Sequence, residues 1–205
     1  MGLVVLCAVL GIAAGLARGG SLAHWSRLRL RGLPVLVAAL ALQATAALAR
    51  PGDARLQTVV LSASLVLAAA GAAMDRRAPS VPLALGLVSN ALVVAANGAM
   101  PVSVSALARA GLEPAAAALG PDPRHEVLGP ATRLPWLADV VALPLPLHAE
   151  VVSVGDLLVA AGAALLCARA TMGAYDDEGV PMAKKSRRRR ARAKSKANHG
   201  RRPNA

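Results

Sequence analysis

Acidic, histidine and amide side chains gather near one face of the predicted membrane region. Asp156 is the only acidic residue inside a predicted span, and Asn97 stands at a similar depth in another span. The segment between them supplies six more polar side chains: Arg124, His125, Glu126, Asp139, His148 and Glu150. Histidine and carboxylate side chains suit divalent-metal binding and general acid–base catalysis. Because His125-Glu126 is not part of an HExxH pattern, we expect no metal site and no cofactor.

We expect part of this set to converge at the outer mouth of a helix bundle, in a small polar pocket under residues 134–147. The residues are Asn97, Met100, Pro101, His125, Asp139 and Asp156. In a binding or scaffold protein, the pocket would anchor the outer loop to the bundle. In a small transporter or membrane-embedded enzyme, Asp156 would titrate or bind a cation together with His125 or Asp139. A third reading is that Asp156 snorkels to the interface or caps a helix that begins near Ser153.

Motifs that would decide between these functions are missing from the sequence. It contains no G-x-S-x-G nucleophile elbow and no Gly-rich phosphate-binding loop. It shows neither inverted repeats nor a second intramembrane charge, the features that favour a transporter. The sequence therefore leaves it open whether the protein is an enzyme.

Five apolar runs must position these side chains. They cover residues 2–17, 33–49, 56–74, 81–100 and 151–168, and none contains Lys or Arg. A helix needs about 20 apolar residues to cross a bilayer; the first run is short, although Arg18 can snorkel. We therefore predict an all-α fold, a polytopic bundle of five transmembrane helices within residues 1–168, with an outer loop at 101–150. Residues 134–147 are too short to span, which predicts a re-entrant or interfacial segment.

Several polar residues fall inside the apolar runs. Within a bilayer, such residues usually form hydrogen bonds between helices. We interpret them as packing contacts: Gln43, Gln57, Ser62, Ser64, Ser89 and Asn90. Gly11 and Gly15 form a Gly-x-x-x-Gly pair, which favours close packing within the chain over dimerisation. A homo-oligomer stays open.

Basic residues fix the predicted orientation. Of the 23 Lys and Arg residues, 18 fall on the side that contains the carboxyl terminus and five on the other. Since positive residues near membrane spans stay in the cytoplasm, we predict an outside amino terminus and a cytoplasmic carboxyl terminus in a bacterial plasma membrane.

Residues 169–205 form a predicted disordered cytoplasmic tail. Its stretch from Lys184 to Arg202 holds eleven basic residues and no acidic residue, which accounts for most of the net charge of +12. We expect the tail to contact anionic lipids of the inner leaflet, with RNA as the less favoured partner. The predicted headgroup contacts are Lys184, Lys185, Arg187, Arg188, Arg189 and Arg190.

Short motifs in a fixed order carry a resemblance. They are Asn97-Gly98-Ala99-Met100-Pro101-Val102, then His125 and Thr132, then Asp139, then Ser153-Val154-Gly155-Asp156. With them, roughly residues 1–168 resemble a bacterial domain-of-unknown-function family of small multi-pass membrane proteins. The resemblance implies a membrane protein and brings no established activity.

Overall fold

The computed structural model describes residues 2–28, 30–48, 54–75, 80–119, 124–145 and 148–174. Within this part of the chain the protein is mostly helical. Its helices are α1 (Gly2–Ala17), α2 (Leu33–Leu48), α3 (Ala54–Met74), α4 (Ser80–Asn97), α5 (Val104–Arg109) and α6 (Val154–Thr171). Short 3-10 helices cover Leu22–Arg27, Glu113–Ala118 and Pro135–Leu137. The predicted basic tail, including every predicted lipid-contact residue from Lys184 to Arg190, lies outside the described residues.

Three helices are long and apolar enough to cross a bilayer. They are the stretch Leu56–Met74 of α3, with α4 and α6 over their full lengths. Helices α1 and α2 are apolar but have only 16 residues each. Large apolar side chains on the long helices face outward, among them Val59, Leu85 and Leu165. Because soluble proteins rarely expose so much contiguous apolar surface, these faces favour contact with lipid.

The ends of α4 and α6 differ from those of the apolar runs by three residues each. Helix α4 ends at Asn97 rather than at residue 100, because Gly98 takes a φ of 97°, in the left-handed region that favours glycine. Helix α6 begins at Val154 rather than at residue 151, because the residues before it form a strand and Ser153 caps the helix. It also continues to Thr171, three residues past the predicted end of the last span.

Helix α6 packs against α1 and α4 at the centre of the bundle. Gly11 and Gly15 of α1 face it: a Cβ on Gly11 would stand 2.2 Å from the carbonyl oxygen of Ala164. The Gly-x-x-x-Gly pair thus serves close packing within the chain. Gly86 of α4 and Gly155 of α6 allow a similar approach on the other side.

Residues 98–153, which we call the cap, cover one end of the bundle. The predicted helical protein is confirmed in the main, but it is not all-α, because the described residues of the cap include four short strands. Strand β1 (Met100–Val102) pairs in parallel with β2 (His125–Val127), and β3 (Val141–Leu143) pairs antiparallel with β4 (Glu150–Val152). The segment predicted as re-entrant or interfacial supplies the 3-10 helix Pro135–Leu137 and β3; its residues 146–147 lie outside the described part.

A small apolar core joins the cap to the bundle. Val93 and Val94 of α4 pack with Met100 of β1, and Leu134 and Leu137 of the cap contact the same cluster. The strand β1 follows α4 after only two residues, so it stays at the end of the bundle. The cap is therefore held directly above the helices that carry the polar residues.

Candidate functional site

Asp156 forms part of a capping box at the start of α6. The Asp156 backbone N–H donates to the Ser153 hydroxyl at 2.9 Å, and the Ser153 backbone N–H donates to Asp156 Oδ2 at 3.1 Å. The sequence Ser153-Val154-Gly155-Asp156 has the spacing that this motif requires. The prediction that Asp156 caps a helix beginning near Ser153 is thus consistent with the hydrogen bonds between these two residues.

Asn90 of α4 completes a three-residue polar clamp with Ser153 and Asp156. Its Nδ2 donates to Asp156 Oδ1 at 2.7 Å, and its Oδ1 accepts from the Ser153 hydroxyl at 3.0 Å. A Cβ on Gly155 would stand 1.9 Å from Asn90 Oδ1, so glycine is needed at that position. The clamp ties α4 to the first turn of α6, where the cap meets the bundle.

Asn97 lies outside this clamp. Its Nδ2 donates to the carbonyl oxygens of Val93 and Arg133, each at 2.9 Å, and its Oδ1 accepts from the Arg133 backbone N–H at 2.7 Å. These bonds fasten the cap to the end of α4. The contact suggested by sequence between Asn97 and Asp156 is made instead by Asn90, two helical turns earlier.

Backbone pairing brings Asp139 and His125 to the same place. The Asp139 N–H donates to the Pro101 carbonyl oxygen at 2.9 Å, and the Ser103 N–H donates to the Asp139 carbonyl oxygen at 2.9 Å. On the other edge of β1, His125 pairs with Met100. Strand β1 therefore lies between the two residues and places both above the end of α4.

A cavity with two lobes lies between the cap and helices α2, α3, α4 and α6. The first lobe measures about 290 Å³ and the second about 400 Å³. Both lobes are lined by Gln43, Leu65, Asn90, His125, Asp139 and Asp156. The first adds Gln57, Leu61, Val94, Met100 and Arg124. The second adds Glu150 and aliphatic side chains that include Leu36, Leu40, Leu83, Leu87 and Val159. Apolar walls thus converge on a polar centre.

Four of the six predicted pocket residues line the first lobe: Met100, His125, Asp139 and Asp156. Pro101 is buried in β1 and contributes its backbone, and Asn97 fastens the cap. Gln43, Gln57 and Asn90 were interpreted as packing residues, yet all three line the cavity. The sequence did mark these residues, because each is a polar group within an apolar run, where its burial costs free energy. Arg124 was named among the polar side chains of the outer segment, but not among the six predicted pocket residues.

Two buried oxygen atoms of this cavity have no hydrogen-bond partner among the described residues. They are Gln57 Oε1 and Asp139 Oδ1. The Asp139 side chain is only 7% exposed. Its burial, followed by the negative charge of Asp156, raises the pKa of the Asp139 carboxyl to about 8. An unpaired buried polar atom costs free energy unless a ligand or water supplies the missing partner.

The remaining acidic and histidine residues are distributed around the cap. Glu150 accepts a hydrogen bond from the Leu3 backbone N–H and lies 3.9 Å from His148 Nε2. Glu126 belongs to β2, where burial raises the pKa of its carboxyl. Within the described part of the chain, no three His, Cys, Asp or Glu side chains come close enough together to hold a metal ion.

The raised pKa of Asp139 predicts a specific pH dependence of stability. In the unfolded chain this carboxyl has a pKa of about 3.9. Between about pH 4 and 8 the carboxyl is therefore deprotonated in the unfolded state and still protonated in the folded state. The wild type therefore loses stability across this interval, and the loss is complete above the folded-state pKa of about 8. We expect Asp139→Asn, which keeps the shape without the charge, to exceed the wild type at pH 9 by about 2 kcal/mol or more.

Thermal unfolding at pH 5 and pH 9 checks this expectation, with exposed Glu113→Gln as the control for the same change of net charge. The advantage of Asp139→Asn should shrink towards pH 5. An advantage of equal size at both pH values would contradict the buried-carboxyl account.

Comparison with known proteins supplies a family and no activity. A family model described as a family of unknown function (DUF5317) matches residues 27–168. A second model, described as the helical region of 50S ribosomal protein L37, matches residues 182–205. Neither a curated protein nor a solved structure matches the chain. Because the first match covers more than half of the sequence, the protein belongs to DUF5317, a family of unknown function.

Proposed function

We propose that this protein is a membrane-embedded binding protein whose cavity takes a small amphipathic molecule. The observation that carries the proposal is the cavity itself, in which leucine and valine walls converge on two unpaired buried oxygens. Ligand pockets of this size are commonly apolar with a few converging polar groups. The aliphatic lobes would hold the apolar part of the ligand and the polar centre its head. The clamp of Asn90, Ser153 and Asp156 would hold the helices that surround this binding cavity in place.

The transporter and enzyme alternatives have weaker support. Both carboxylate oxygens of Asp156 accept hydrogen bonds: Oδ1 from Asn90 of α4, and Oδ2 from the Ser153 backbone N–H at the start of α6. A carboxylate with both oxygens hydrogen-bonded in this way has a structural role. A binding function does not require Asp156 to titrate or to transfer a proton.

The proposal places the protein in the membrane with five spans. Supporting this, α1 and α2 are apolar helices beside the three long ones, and Arg18 follows α1 within snorkelling distance of the interface. The distribution of basic residues supports an outside amino terminus, an outside cap and a cytoplasmic tail. In a bacterial plasma membrane, the cavity would then lie near the outer face.

A reporter fused after Arg202 tests this orientation. We expect a fluorescent protein fused at that position to be active. Such a protein folds in the cytoplasm but does not become fluorescent after export through the general secretory route. Activity of a periplasm-dependent reporter such as alkaline phosphatase at the same position would contradict it. A fusion within the cap serves as the opposite control.

Filling the cavity tests the binding function. Ala39 of α2 lines the second lobe and is 2% exposed, whereas Ala41 of the same helix is exposed. In nanodiscs, we expect the neutral probe 1-octanol to raise the melting temperature of the wild type and of Ala41→Leu. Ala39→Leu should lose this response, because the added side chain occupies the lobe. Equal responses of both variants, or no response of the wild type, would contradict a binding cavity.

For the tail, we propose contact with anionic lipid headgroups through Lys184, Lys185, Arg187, Arg188, Arg189 and Arg190. Its support is the run of eleven basic residues without an acidic one, since each basic residue near an anionic surface contributes about 1 kcal/mol. The likeness of residues 182–205 to a ribosomal protein region makes RNA the alternative partner.

Nanodisc-embedded protein separates the two tail partners. We expect it to bind vesicles rich in phosphatidylglycerol and to release them at high salt, while a variant truncated after Ala183 does not bind. Vesicles of phosphatidylcholine are the control. Stronger binding to ribosomal RNA than to anionic vesicles would contradict the lipid assignment.

A further inference from the structure

The polar centre of the cavity presents unpaired acceptors. Asp139 is fixed by its backbone bonds to Pro101 and Ser103, so its buried side chain is held at the lining of both lobes. Its Oδ1 lacks a partner among the described residues, and so does Gln57 Oε1 in the first lobe. A ligand that satisfies both atoms must supply at least two hydrogen-bond donors.

Several polar residues of the cavity lining already have partners. Asn90 donates to Asp156 and accepts from Ser153. Arg124 and His125 both have interactions of their own. Among the described residues, no group of the lining pairs with the two oxygens, which leaves them available to a bound molecule.

Charge narrows the class of ligand. Asp139 and Asp156 line both lobes and Glu150 lines the second, so the cavity has three carboxyl groups. Burial, followed by the charge of Asp156, raises the pKa of Asp139 to about 8. This direction shows that burial and the neighbouring carboxyl groups disfavour a negative charge on Asp139 more than nearby positive charge stabilises it. A carboxylate ligand would add like charge, and an alcohol has only one donor. A primary ammonium has three donors and the opposite charge.

The walls narrow it further. Leu61, Leu65 and Val94 line the first lobe, and Leu36, Leu40 and Leu87 line the second. Such surfaces favour an aliphatic chain, since burial of each CH₂ group contributes about 0.8 kcal/mol. A small hydrophilic cation would leave these walls uncovered.

We propose, on the basis of the binding function above, that the cavity binds an aliphatic primary amine as its ammonium ion. The ammonium group donates to Asp139 Oδ1 and Gln57 Oε1, and the chain lies along the leucines of one lobe. The clamp of Asn90, Ser153 and Asp156 keeps the second carboxylate in place beside it.

Three eight-carbon probes test this ligand class on the intact protein in nanodiscs: octylamine, 1-octanol and octanoate. At pH 8.5 an alkylamine is still mainly protonated. We expect the dissociation constant of octylamine to be at least about tenfold lower than that of 1-octanol, because charge-assisted hydrogen bonds are roughly twice as strong as neutral ones. Octanoate should bind more weakly than 1-octanol.

Variants identify the group that recognises the ammonium. Asp139→Asn should remove most of the preference for octylamine over 1-octanol, and the exposed control Glu113→Gln should keep the preference. Gln57→Leu should weaken octylamine binding by a smaller factor. Because the comparison of probes on the wild type needs no variant, it stands even if a variant fails to fold.

The outcomes separate the two proposals. Binding of 1-octanol without preference for octylamine, or an unchanged preference in Asp139→Asn, would overturn the amine assignment and leave the binding function in place. If none of the three probes binds, the binding function fails, and the amine assignment fails with it.

Discussion

The fold depends on one constraint: a polar side chain in an apolar helix bundle costs free energy unless it finds a partner. Unpaired polar groups in such surroundings cost several times what a single hydrogen bond contributes in water. Asn90, Ser153 and Asp156 meet this constraint together, with distances of 2.7 Å and 3.0 Å between Asn90 and its two partners. Because Asn90 belongs to a long helix and the other two lie at the start of α6, their bonds fix where the cap ends and α6 begins.

The same constraint explains why glycines stand where the helices meet. Gly86 and Gly155 let α4 and α6 approach until the Asn90 side chain reaches the first turn of α6. On the opposite face of α6, Gly11 and Gly15 admit α1. Asp139 is the contrast: its backbone is fully paired, but one carboxylate oxygen is not. A buried group that the protein leaves unpaired next to a cavity is a reason to look for a ligand.

The sequence predicts the helices well and their ends less well. Long uncharged runs identify the apolar helices, since few other arrangements accommodate them. The end of α4 depends on the left-handed backbone of Gly98, and the start of α6 on the Ser153 cap, both of which act within one turn. The strands of the cap escape the prediction because each has three residues, too few for a period-two pattern.

The sequence predicts which residues line the site better than it predicts their hydrogen-bond partners. His125, Asp139 and Asp156 do line one cavity, as their position outside or near the end of the apolar runs suggested. Asn90 and Asn97 are seven residues apart, which puts them on one helix face about 10 Å apart along the axis. Spacing alone cannot tell which of the two stands level with Asp156, because that level is set by how α4 packs against α6.

A double-mutant cycle between Asn90→Ala and Asp156→Ala measures the central interaction most directly. In reversible unfolding from a bilayer mimetic, each single substitution should destabilise the protein, and the pair should destabilise it by less than the sum. We predict a coupling energy of about 1–2 kcal/mol. A coupling energy of zero would mean that the two side chains do not meet, and would contradict this account of how the cap and the cavity are positioned.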